Sequence, residues 1–111
     1  MSSREEFRKE REQLNEIVMQ YAGKTTKRFF NLDTNVYKDG ALSSRTKEML
    51  GLVASLVLRC DDCITYHMNQ CLEENISDEE MDEIMSVGLI VGGSITIPHI
   101  RRAIKFWDEN K

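Results

Sequence analysis

Over residues 4–22, Phe7, Leu14, Ile17, Val18 and Tyr21 form a thin apolar stripe among Glu, Arg, Lys and Gln. These are good helix formers, and the spacing predicts a solvated helix docked by one edge. A second short helix is expected over 25–37, burying Phe29, Phe30, Leu32 and Val36, before Asp39-Gly40 marks a turn. Ser43 or Ser44 suits the N-cap of the next helix, over 45–59. Its apolar residues (Met49, Leu50, Leu52, Val53, Ala54, Leu56, Val57 and Leu58) cover nearly the whole circumference. Such a helix belongs at the centre of the core or at a subunit interface.

A further helix over 61–74 carries Cys63, Ile64, His67, Met68, Cys71 and Leu72 on one face. Asn75 suits the left-handed closing position that follows it. Ser77-Asp78-Glu79-Glu80 has the form of a capping box. It opens a helix with Met81, Ile84, Met85, Gly88 and Leu89 that stops at Gly92-Gly93. The segment 94–108 has two readings. Ser94-Ile95-Thr96-Ile97 has the β-branched content of a strand, whereas Pro98 followed by Ile100, Ala103, Ile104, Phe106 and Trp107 favours a terminal helix. The methionines at 49, 68, 81 and 85 sit at core spacing. The pattern as a whole predicts an all-α fold of five to six helices.

Composition narrows the class. The chain has 111 residues, 41% hydrophobic and 31% charged, which fits one domain over 1–111. A single proline and six glycines argue against a disordered Pro/Gly-rich chain and against a turn-dense all-β one. A net charge of −4 leaves no broad basic surface for nucleic acid. The opening MSSREEFRKEREQ is densely charged, so no secretory signal is expected, and the apolar run 49–58 is too short to span a bilayer. The three cysteines are then expected in a reducing cytoplasm, where a close pair points to catalysis or metal binding rather than to a structural bridge.

Cys60-Asp61-Asp62-Cys63 is such a pair, and His67 follows four residues after Cys63. If helical geometry starts at Cys60, the two side chains share a face about 5–6 Å apart, close enough to form a disulfide. His67 lies one turn further along, within reach of the thiol proton. That matters because the thiolate, not the thiol, is the nucleophile, and a helix N-terminus favours its charge. Glu48 stands twelve positions before Cys60, completing Glu-x11-Cys-x2-Cys-x3-His. Zinc is the competing reading. Cys60, Cys63, His67 and Cys71 on one straight helix would span about 16 Å and could not converge on a tetrahedral ion. A further ligand such as His99 would be needed; otherwise His99 reads as a surface or interface residue and Cys71 as a small buried hydrophobe. No metal is expected.

The four-residue pattern resembles the active-site signature of the alkylhydroperoxidase D-like branch of the carboxymuconolactone decarboxylase family. Gly40-Ala41-Leu42, the apolar run after Glu48, Asp78-Glu79-Glu80 and Gly92-Gly93 agree with it, so that the likeness covers roughly residues 36–107. The resemblance implies a helical bundle assembled as a trimer or hexamer, with N-terminal helices at 1–35 and the family core at 36–108. It implies a thiol-dependent oxidoreductase acting on hydroperoxides or disulfides. Cys63 would be the peroxidatic thiol, Cys60 the resolving one, and His67 and Glu48 the proton relay. The redox-active Cys60–Cys63 disulfide would need no other cofactor, and a dithiol or lipoylated protein would be the reductant. Two alternatives remain: a lactone decarboxylase of the same family that does not depend on the cysteines, and a non-enzymatic redox-sensing or metal-binding oligomeric module. No nucleic-acid or membrane partner is expected.

Two constraints sharpen the resemblance. In one unbroken helix Glu48 would lie about 18 Å from Cys60, so the relay requires the chain to reverse near Arg59 and Cys60. The family often places an aromatic residue or histidine just before its second cysteine, where this chain has Asp62 with Asp61 beside it. Like charges oppose ionisation, so Cys63 is expected to be less acidic than in a typical member.

Overall fold

The computed structural model describes residues 3–111, and these contain six α-helices, one short 3-10 turn and no strand. The helices are α1 (Arg4–Tyr21), α2 (Lys24–Val36), α3 (Ser44–Leu58), α4 (Asp61–Glu73), α5 (Asp78–Gly92) and α6 (Ile97–Asn110). The expected all-α class is what is found. The segment read two ways, 94–97, is a 3-10 turn over Ser94–Thr96 running into α6, with Pro98 in the first turn of that helix.

The chain divides into two compact units, Met1–Ser44 and Arg45–Lys111. In the first, Ser3 caps α1 by accepting from the Glu6 N–H at 3.0 Å. Neither α1 nor α2 has a buried residue. This corrects two expectations: α1 buries no edge, and in α2 Phe29, Leu32 and Val36 are exposed while Phe30 is half-buried. The stripe at helical spacing was correctly read as a face. Periodicity marks which face is apolar but not whether the chain itself covers it.

The second unit holds the core. Leu52 and Leu56 of α3, Ile64, Met68 and Cys71 of α4, Met81, Ile84 and Met85 of α5, and Ala103, Phe106 and Trp107 of α6 pack together with Ile76 from the α4–α5 connection. Gly88 lets α5 lie close against α3, since a methyl there would run into the fully buried Leu56 side chain. The apolar circumference of α3 is only half used. Leu52 and Leu56 are fully buried, whereas Leu50 and Leu58 are exposed, so within the chain α3 gives the core only one of its faces. The remaining face of α3 and one face of α5 line an open apolar groove of about 770 Å³.

Local signals end these helices where the sequence indicates. The capping box of α5 is complete: the Glu80 N–H donates to Ser77 Oγ at 3.1 Å and the Ser77 N–H to Glu80 Oε1 at 2.9 Å. Asn75, at φ 56°, closes α4 with the Ile76 N–H on the Cys71 carbonyl and the Asn75 N–H on the Leu72 carbonyl. At the far end, Trp107 Nε1–H and Lys111 Nζ both donate to Asp78, at 2.9 and 2.7 Å, tying the last turn of α6 to the first of α5.

Arg45 joins three elements at the start of α3. Its guanidinium donates to Glu80 at 2.6 Å and to the Glu74 carbonyl at 3.3 Å. With the Ser77 N–H as second donor, Arg45 pulls the Glu80 carboxyl down from its ordinary 4.5 to about 2. A carboxylate depressed in the folded state stabilises it fully above pH 4.5, and that contribution is lost as pH falls toward 2. Urea unfolding across that window is expected to show an acid limb in the wild type that is flatter in Arg45→Met.

Candidate functional site

The chain reverses between α3 and α4 in two residues. Arg59 adopts φ 59°, a left-handed conformation that costs a non-glycine residue on the order of 1–2 kcal/mol. The turn satisfies the last carbonyls of α3: the Arg59 N–H donates to the Leu56 carbonyl at 3.0 Å and the Cys60 N–H to that of Ser55 at 3.1 Å. Ser55 in turn donates from Oγ to the Gly51 carbonyl at 2.7 Å. The reversal therefore lies at Arg59 and Cys60, where it was expected.

Cys60 is the N-cap of α4, with extended backbone (φ −99°, ψ 97°), so it stands just outside the helix rather than in its first turn. Its side chain folds back over that turn, and Sγ accepts from the Cys63 N–H at 3.3 Å. A sulfur in this place takes over the role that a serine or aspartate oxygen usually plays. Cys60 is half-buried and Cys63 exposed, and neither is bridged.

The reversal lays α4 back along α3 and brings Glu48 to His67. His67 Nδ1 lies 2.8 Å from Glu48 Oε1, joining residues 19 positions apart. Both side chains are nearly sealed from water, at 9% and 4% exposure. The carboxylate has only acceptor oxygens, so Nδ1 carries the hydrogen, and in the neutral ring Nε2 then bears the lone pair. The Tyr66 ring meets the imidazole edge-on at 5.1 Å between centroids. Among the described residues no buried side-chain nitrogen or oxygen lacks a partner.

The electrostatics of the two other thiols follow from position. Cys71 is fully buried, and loss of water pushes its thiol up to about 12, as suits a small core hydrophobe. Cys63 is pushed up to about 11, chiefly because the Cys60 sulfur shares a hydrogen bond with it, then by partial burial and by the charge of Asp62. The direction is the expected one, but the neighbouring sulfur outweighs the aspartate. Asp61 faces a different set of groups. Its carboxylate is held by His99 Nδ1 at 2.7 Å and by Arg102, a contact between α4 and α6 that no local pattern announced. No group of three or more His, Cys, Asp or Glu side chains suited to a metal ion occurs among the described residues.

Residues 23–106 match the family model for the carboxymuconolactone decarboxylase family. The chain belongs to that family. Two crystal structures of a Thermotoga maritima member, given a suggested part in the antioxidative response, are 55% and 56% identical to it. They cover 93% of this chain and 90% and 87% of their own, with TM-scores of 0.90 and 0.86. A Legionella pneumophila member is 21% identical over 96% of this chain and 95% of its own, with a TM-score of 0.84, a likeness of fold. An uncharacterised protein of Cupriavidus necator is 25% identical over 71 residues. That match covers 64% of this chain and spans 63% of the relative's length.

The Glu48–His67 contact sets a clear expectation for stability. Glu48→Ala strands the buried imidazole and should cost about 3–5 kcal/mol in urea unfolding. Glu48→Gln, whose amide oxygen can still accept from Nδ1–H, should cost clearly less.

Proposed function

We propose that this member of the family is a thiol-dependent oxidoreductase of the alkylhydroperoxidase type, working in a reducing cytoplasm on hydroperoxides or disulfides. The observation that carries the reading is the buried Glu48–His67 hydrogen bond, formed by a histidine one turn beyond Cys63 on α4. A thiol with its titration near 11 is ionised to only about one part in 10⁴ at pH 7, so Cys63 needs a base beside it. His67 is the base in this proposal, and Glu48 stabilises the imidazolium that forms. The suggested antioxidative role of the Thermotoga protein supports the same reading.

The proposed cycle has three steps. The Cys63 sulfur attacks the outer peroxide oxygen, the O–O bond breaks, and the alkoxide leaves as alcohol with the proton taken up by His67. Cys60 then attacks the sulfenic sulfur, forming the disulfide and releasing water with the Cys60 proton. A dithiol, free or on a lipoylated protein, returns both thiols by exchange and is itself oxidised to a disulfide.

Three further readings have their own support. The hydrogen bond from the Cys63 N–H to Cys60 Sγ favours an inverted order, with Cys60 attacking and Cys63 resolving. Family membership supports a lactone decarboxylase equally well. The apolar groove of α3 and α5 also supports self-association, as an interface between copies.

Mass spectrometry after one equivalent of hydroperoxide decides the order. Cys60→Ser should gain one oxygen on Cys63, the wild type should form the Cys60–Cys63 bridge, and Cys63→Ser should lose turnover; full turnover in Cys63→Ser overturns the assignment. Replacing the base in His67→Gln should slow thiol oxidation by about 10²–10⁴-fold. Turnover of a carboxymuconolactone that survives thiol alkylation would establish the decarboxylase instead. Light scattering at micromolar concentration is expected to give a mass above the 12.9 kDa of one chain.

A further inference from the structure

Two carboxylates lie between the thiols at the start of α4, and α6 reaches across to one of them. His99 Nδ1 lies 2.7 Å from Asp61 Oδ1. Arg102 holds Asp61 Oδ2 from Nε at 3.2 Å and from a terminal guanidinium nitrogen at 2.9 Å, and that nitrogen is also 3.2 Å from His99 Nδ1. Asp61 follows Cys60 directly and begins the turn whose third residue is Cys63. The contacts span 38 and 41 positions of sequence, so they fix where that turn sits against α6.

We infer that Arg102 and His99 are positioning residues for the thiol pair: they pin the turn bearing Cys60 and Cys63 to α6, and Arg102 cancels the Asp61 charge that would oppose thiolate formation. This rests on the thiol chemistry proposed above. The two bases divide the work. His99 is only 17% exposed and holds its Nδ1 2.7 Å from Asp61 Oδ1, so it supplies geometry. Arg102 is charged at every accessible pH and supplies compensation.

The chain shows what an aspartate does here through its charge. Asp62, the next residue, raises the Cys63 thiol. Asp61 has its carboxylate held below the ordinary range by His99 and then Arg102. Arg59 adjoins the turn in sequence, and His67 of the Glu48–His67 pair lies one turn beyond Cys63 on α4. Uncovering the charge of Asp61, the residue next to Cys60, beside a partly solvated thiolate is worth about threefold to tenfold in thiolate population.

A double-mutant cycle on the reduced full chain tests this, reading iodoacetamide alkylation at pH 7 and the thiolate absorbance titration. Arg102→Met is expected to slow alkylation about threefold to tenfold and to move the titration upward by about half to one pH unit. Arg102→Lys should restore most of the rate. Asp61→Asn should speed alkylation, and Asp61→Asn with Arg102→Met should return close to the wild type, because no charge is then left to compensate. Wild-type alkylation and titration in Arg102→Met overturn the inference; so does a double variant as slow as Arg102→Met, which marks a purely structural contact. Alkylation needs no hydroperoxide turnover. A wild type that lacks turnover but keeps the Arg102 effect would sink the proposed activity alone, and turnover indifferent to Arg102 would sink the charge role alone.

Discussion

The hydrogen bond between Glu48 and His67 constrains everything around it. A carboxylate and an imidazole nearly closed off from water are tolerable only in each other's company, because each desolvated polar group needs its partner. They lie on different helices, so the partnership demands a sharp reversal between α3 and α4. That reversal is a turn at Arg59 held in a left-handed conformation, with two backbone hydrogen bonds closing α3. Once α3 has turned, the next residue must start a helix, and that residue is Cys60. One geometric requirement thus positions the Glu48–His67 hydrogen bond, the N-cap sulfur and the second thiol together.

The thiols sit in an environment with opposed influences. At Cys63 the Cys60 sulfur and Asp62 disfavour negative charge, while a backbone N–H at the start of α4 favours it. A thiol raised in this way keeps its proton at rest, which suits chemistry that begins with proton removal by a neighbouring base. Cys71 lacks every one of these features. It is sealed in the core among Met68 and Met81, and its environment holds it as a neutral thiol.

The chain carries more apolar surface than one copy buries. No residue of α1 or α2 is buried, and α3 and α5 leave an open groove edged by Leu50, Leu58 and Val87. On α3, whose apolar residues run round the whole circumference, Leu52 and Leu56 are covered within the chain while Leu50 and Leu58 are exposed.

Much of this was legible in the sequence because it is local chemistry. The capping box at Ser77–Glu80, the closing turn at Asn75, the N-terminal proline of α6 and the helical period of each segment depend on residues within one or two turns of each other. The relay implied by the family resemblance located the reversal, since helix rise rules out a straight path from Glu48 to Cys60. What the sequence could not express is contact across distance. The Asp61–His99–Arg102 cluster joins α4 to α6 over about forty positions, and it redirects a carboxylate that local reasoning set against the thiol. The apolar stripe of α2 looked like core and proved exposed, because a period of 3.6 identifies a face without saying what lies against it. By itself the sequence determined the helices, their ends and which residues were chemically able; only tertiary packing decided which charges met and which apolar faces were covered, since both depend on neighbours that the chain supplies by folding.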